Sequence, residues 1–195
     1  MSTRVAATAR LTAACRYELC EQLRLSVDPA KELSHLNSII GSRQLPLPDL
    51  QQLVSTASTS WVLGALAPTE FSRVRARLEG GSRSALETTA ADLQTELIET
   101  LAIATTMVMT ATRSITANTF AECGLELGYT VTTRQSDSAT CIELRRRHEI
   151  VLVEVHDGGS VDFDHDGLVN DAWGEHQSQL ELAVERRGVL VAQCS

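Results

Sequence analysis

Ile150-Val151-Leu152-Val153-Glu154-Val155-His156-Asp157-Gly158-Gly159-Ser160-Val161-Asp162-Phe163-Asp164-His165-Asp166-Gly167 is the stretch on which the fold turns. Ile150 to Val153 is apolar on both faces and Val155 continues one of them, the pattern of a central strand covered on two sides. Val161 and Phe163 alternate with Asp162 and Asp164, the period of a strand with one face buried. Between the two runs, Asp157-Gly158-Gly159-Ser160 supplies the residues of a tight hairpin, because glycine reaches positive φ without steric cost.

Further strands flank this pair. Ile142 and Leu144 alternate with Glu143 and Arg145, and Arg145-Arg146-Arg147-His148 reads as a second turn or a bend in an unbroken strand. Tyr129 to Thr133 is another strand, entered from a short helix, Thr119 to Leu127, that Gly128 ends. Downstream, Asp171 to Arg187 reads as a helix with Gly174 as its weak point, and Gly188 closes it before a last strand, Val189-Leu190-Val191. The expectation is an antiparallel meander framed by two helices, with a final strand.

Everything upstream reads as helical. Val5, Leu11, Ala14, Cys15, Leu19 and Leu23 fall near one face of a first helix from Thr3 to about Leu25. Asp28-Pro29 caps and starts a second helix ending at Gly41. A third helix follows from Pro48 to Leu66 and a fourth from Thr69 to Glu79. The fifth is the longest, about residues 84–115, with Leu86, Ala90, Leu93, Leu97, Leu101, Ala104, Val108, Ala111 and Ile115 at heptad-like spacing. Such a seam is either the core of a five-helix bundle or, through Leu93, Leu97, Leu101 and Val108, the contact face of a homodimer. The fold class expected is α+β: a helical region, residues 1–116, joined at Ser114–Asn118 to an α+β domain, residues 117–195.

Composition removes several functions. An apolar fraction of 43% with 22% charged residues is that of a soluble globular chain. A net charge of −8 argues against a general nucleic-acid binder, which needs a cationic surface. Cys15, Cys20, Cys123, Cys141 and Cys194 include no CxxC pair, which excludes zinc ribbons and a disulfide framework. Leu50 to Thr69 is too polar for a membrane span, and Thr100 to Thr112 falls short of the roughly 20 residues one requires. No signal-type segment opens the chain, so the expected location is a reducing cytoplasm.

Three constellations could carry chemistry. Asp162-x-Asp164-x-Asp166-Gly167 matches the start of a calcium loop, but Trp173 stands where the bidentate glutamate belongs and the loop is entered from a strand. Asp162, Asp164 and Asp166 therefore either converge on calcium, magnesium or another hard cation or project from an edge strand. No other cofactor is expected. A nuclease-like metal site would use Asp137 or Glu143 with Glu154-Val155-His156, but a histidine stands in the place of the usual lysine. His156, His165 and His176 lie near Ser136, Ser138 and Ser160 without a nucleophile elbow.

Leu125-Glu126-Leu127-Gly128-Tyr129, the strand pair around Glu154-Val155-His156-Asp157-Gly158, Val161-Asp162 and the helix to Arg187-Gly188 resemble small uncharacterised bacterial proteins encoded beside MoxR-type AAA ATPases. The resemblance covers about the C-terminal third of the chain and implies an accessory or partner-binding role. The residues agree. No lysine or arginine occurs between Glu149 and Glu181, so Glu154 and Asp157 belong to an acidic face suited to a basic partner. The reading is a non-enzymatic interaction or assembly subunit, with a metal-dependent, nuclease-like enzyme or a cation-binding module as its rival.

Overall fold

The computed structural model describes residues 5–80, 90–147, 149–166 and 170–193. It has an α+β fold divided into two compact units, residues 20–108 and residues 1–19 with 109–195. The helix Ala90–Glu126 contributes to both, so the expected border at 114–118 falls inside an unbroken helix.

The second of these units is a six-stranded antiparallel sheet with helices on one face. Its strands are β1 (Val5–Leu11), β2 (Thr130–Gln135), β3 (Ala139–Arg146), β4 (Glu149–His156), β5 (Ser160–Asp166) and β6 (Val189–Gln193). They lie in the order β2-β3-β4-β5-β1-β6. The meander is as expected, with turns at Arg147, where φ is +58°, and at Asp157–Gly159. His148, at the first turn, lies outside the described residues.

The first helix is a misreading: its N-terminal half is β1. Ala7, Ala9 and Leu11 are buried and alternate with exposed or half-buried neighbours, a period of two that alanine's helix preference masks. β1 pairs with β5, Ala7 opposite Val161, and with β6, Ala9 opposite Val191. Pairing with strands near the other end of the chain overrides local propensity. Gly159 belongs to this arrangement. Its φ is +84°, and a Cβ there would lie 2.6 Å from the Ala9 carbonyl oxygen. β5 is consequently an interior strand, not an edge.

The inward face is Ile142 and Leu144, Val151, Val153 and Val155, Val161 and Phe163, all almost completely buried. Phe120 from the long helix meets Phe163 edge-on, with ring centroids 5.7 Å apart. At Gly124 the same helix comes so close that a Cβ would stand 2.5 Å from Leu144 Cδ2. The closing helix Asn170–Arg186 adds buried Leu180 and Val184. Arg187 ties it to the long helix through Glu122 and Glu126. The other face of β4 is only half-buried at Ile150, Leu152 and Glu154. The two-sided cover expected for that strand is therefore one-sided.

The other unit is helical. After α1 (Ala13–Gln22), which straddles the border between the units, come α2 (Pro29–Ser42), α3 (Leu47–Ser55), α4 (Ala57–Leu66), α5 (Pro68–Gly80) and α6 (Ala90–Glu126); α7 is the closing helix Asn170–Arg186. Asp28 caps α2 by accepting from the Ala30 and Lys31 amides. The expected single helix 48–66 is two, because Thr56 is extended while its hydroxyl and amide both bond to the Gln52 carbonyl. No glycine or proline marks that break. Residues 84–89 of the expected fifth helix lie outside the described residues; from Ala90 it runs on to Glu126, absorbing the short helix expected at 119–127. Leu93, Leu97, Leu101, Ala104 and Val108 are buried within the single chain. The heptad seam is bundle core, and it is not free to form a dimer face. No helix among the described residues is long and apolar enough to cross a membrane.

Candidate functional site

The outer face of the sheet carries Glu143, Glu154, Asp162 and Asp164, with Arg134 and Arg145 on the same face at its β2–β3 side. Antiparallel register places Cys141, Glu154 and Asp162 in one row across β3, β4 and β5, and Glu143, Leu152 and Asp164 in the next. Alternation along each strand then puts His156 on the same face, one step beyond Glu154. Arg145 pairs with Glu143 at 2.8 Å, and Asp164 Oδ1 accepts from the His165 amide at 2.7 Å. Ile150 and Leu152 give this face a half-buried apolar centre.

Glu154, His156 and Asp162 bring one ligand atom each within 4.8 Å of one another, the single such group of histidine, cysteine and carboxylate residues among the described residues. His156 Nε2 lies 3.0 Å from Asp162 Oδ2 and 3.8 Å from Glu154 Oε2. The three side chains are 27%, 22% and 41% exposed, so the cluster is lined by protein and open to water. Beside it, burial pushes the Cys141 thiol up, and the Glu154 carboxylate adds to the effect.

The aspartate trio read from the sequence divides. Asp162 joins His156 and Glu154, whereas Asp164 stands one row along the same face. Alternate residues of a strand are roughly 6.5–7 Å apart along it, which separates Asp164 from the Asp162 group. The Asp166 side chain and residues 167–169 lie outside the described residues. Asp157 faces away from this surface: its carboxylate is 3.4 Å from Arg113 of α6, whose guanidinium also donates to the Asp137 carbonyl at 3.0 Å. Arg113 therefore ties both turns, through Asp157 and the Asp137 carbonyl, to the long helix.

The nuclease-like and hydrolytic sets fare differently. Glu143 and Glu154 share the outer face at diagonal positions, while Asp137 is exposed in the β2–β3 turn. The three histidines separate, with His156 outward, His165 inward and buried, and His176 on α7.

One polar cluster has no signature in the sequence. The Tyr129 hydroxyl lies 2.6 Å from His176 Nδ1, and Arg146 approaches the same nitrogen at 3.0 Å while its guanidinium sits 4.7 Å over the tyrosine ring. The same guanidinium nitrogen lies 3.4 Å from His176 Nε2, which is 4.0 Å from Glu149. Burial pushes the Tyr129 phenol up, with Arg146 opposing. These residues fasten α7 to the sheet. Tyr129 and His176 are too far apart in sequence for spacing to reveal them.

No family model and no curated protein matches the chain.

Proposed function

We propose that this chain is a non-enzymatic interaction or assembly subunit of a bacterial multiprotein system, and that it docks a basic protein partner on the outer face of its sheet. The observation that carries this reading is the composition of that face: Glu143, Glu154, Asp162 and Asp164 around half-buried Ile150 and Leu152. An apolar centre with a charged surround is the anatomy of a protein interface; Arg134 and Arg145 hold its β2–β3 side, while the carboxylates of β4 and β5 suit a partner that brings positive charge to that side. The absence of lysine and arginine between Glu149 and Glu181 supports it, as does the resemblance to proteins encoded beside AAA ATPases.

Affinity capture from a bacterial lysate tests the reading, with the wild-type chain and a Glu154→Lys/Asp164→Lys variant as baits. A basic protein held by the wild type, released by raised salt and absent from the variant is the expected outcome. Identical captures by both baits contradict it. An empty capture together with metal-stimulated hydrolysis of nucleic acid replaces it with the nuclease-like reading.

A further inference from the structure

We infer that Glu154, His156 and Asp162 form a binding site for one divalent first-row transition-metal ion of the Zn2+ class on the outer face of the sheet. The donor distances decide for this. Zinc bonds to imidazole nitrogen and carboxylate oxygen run about 2.0–2.2 Å, which makes the edge between two tetrahedral ligands about 3.3–3.6 Å. The separations of 3.0 Å and 3.8 Å from His156 Nε2 bracket that edge. The Glu154 and Asp162 donors lie within 4.8 Å of each other, so an ion enters with side-chain adjustments on the order of 1 Å, within reach of χ rotations.

The register supplies a second reason. Glu154 stands directly opposite Asp162 across β4 and β5, and like charges in that position repel. Both strands are interior to the sheet, so the backbone cannot part to relieve the repulsion. A histidine beside two carboxylates offsets it in part, and a divalent ion bound to all three offsets it fully.

The donor set also selects the ion. One imidazole nitrogen and two carboxylates suit borderline ions, whereas calcium calls for six to eight oxygens at 2.3–2.6 Å. Three protein ligands leave the remaining position to water, as the partial exposure of all three side chains permits. The site stands independently of the partner reading, because the ion requires these three side chains and no docked protein.

Calorimetric titration of the full chain with Zn2+, Co2+ and Ca2+ tests the site. The expected result is one saturable equivalent of Zn2+, a tetrahedral visible spectrum with Co2+, and no comparable heat with Ca2+. His156→Gln and Asp162→Asn should each weaken Zn2+ at least tenfold, since loss of an outer-shell partner alone typically costs about 10–100-fold. Asp164→Asn, on the same strand and face but outside the cluster, should bind as the wild type does. Melting curves without metal establish that each variant folds, and Glu154→Gln substitutes for any that does not. Absence of saturable Zn2+ binding, Zn2+ binding unchanged in both ligand variants, or calcium binding of equal strength would overturn the inference.

Discussion

The two units of this chain are assembled by opposite routes. Among residues 20–108, α4 packs on α2, α3 and α5, its neighbours in sequence, and apolar residues at three- and four-residue spacing fill the centre. In the sheet unit, β1 sits between β5 and β6, strands drawn from the other end of the chain. Contacts between sequence neighbours form early and at low entropic cost, whereas β1 can join only once distant strands are in place. The helical unit is thus built from elements with mostly local signals, the α3–α4 break at Thr56 excepted. The sheet unit is complete only when Val5–Leu11 and Val189–Gln193 have been brought together, and the outer face of its β4 is only half-buried.

The largest effect expected from this contrast lies in the sheet core. Phe163 is fully buried against Phe120, so Phe163→Ala should cost about 3–5 kcal/mol through lost burial and the cavity left behind. Hydrogen exchange read segment by segment should show β1, β4 and β5 losing protection while α2 to α5 keep theirs. Equal loss in both units would mean that they unfold as one, and the contrast would fall.

Gln94 is the corresponding test in the helical unit. Its amide donates to the Ile40 and Arg43 carbonyls at 2.8 and 2.9 Å and accepts from the Leu45 amide at 2.8 Å, closing the α2–α3 connection. Gln94→Ala leaves buried backbone groups without these partners, at a cost of about 1–3 kcal/mol. Faster exchange should be confined to residues 40–47 and the adjoining turns of α6.

How legible each part was follows the same contrast. Asp28-Pro29 announced α2, the Leu93-to-Val108 spacing announced a long helix without deciding between bundle core and dimer face, and Asp157-Gly158-Gly159 announced the β4–β5 hairpin, because each signal is contained in a few residues. Val5–Leu11 gave no such sign. Its strand character comes from Phe163, Val161 and Val191, and alanine on its own favours a helix. The site was half legible. Acidity and alternation marked Asp162 and Asp164, but the choice of Glu154 and His156 as neighbours of Asp162, in place of Asp164, is set by the β4–β5 register.

A smaller effect should appear at alkaline pH. Burial pushes the Cys15, Cys123 and Cys141 thiols and the Tyr129 phenol up in the sheet unit. A group whose folded-state pKa is raised keeps its full contribution below the unfolded value and loses it as pH rises through the folded one. Stability should therefore hold to about pH 8.5 and decline above it, first through the thiols and then through the phenol near pH 10. Denaturant midpoints between pH 7 and 11 check this, and Cys123→Ala should flatten the first part of the decline.

Carboxylate footprinting tests most directly the claim that the open face of the sheet is where this chain meets its partner. The full chain is labelled with a carbodiimide and a small amine, alone and with the captured basic protein, and modification is read by mass spectrometry. Protection of Glu143, Glu154, Asp162 and Asp164, with Glu70 and Glu79 of α5 labelled equally in both samples, is the predicted result. Protection confined to the helical unit, with the sheet carboxylates unchanged, would contradict it.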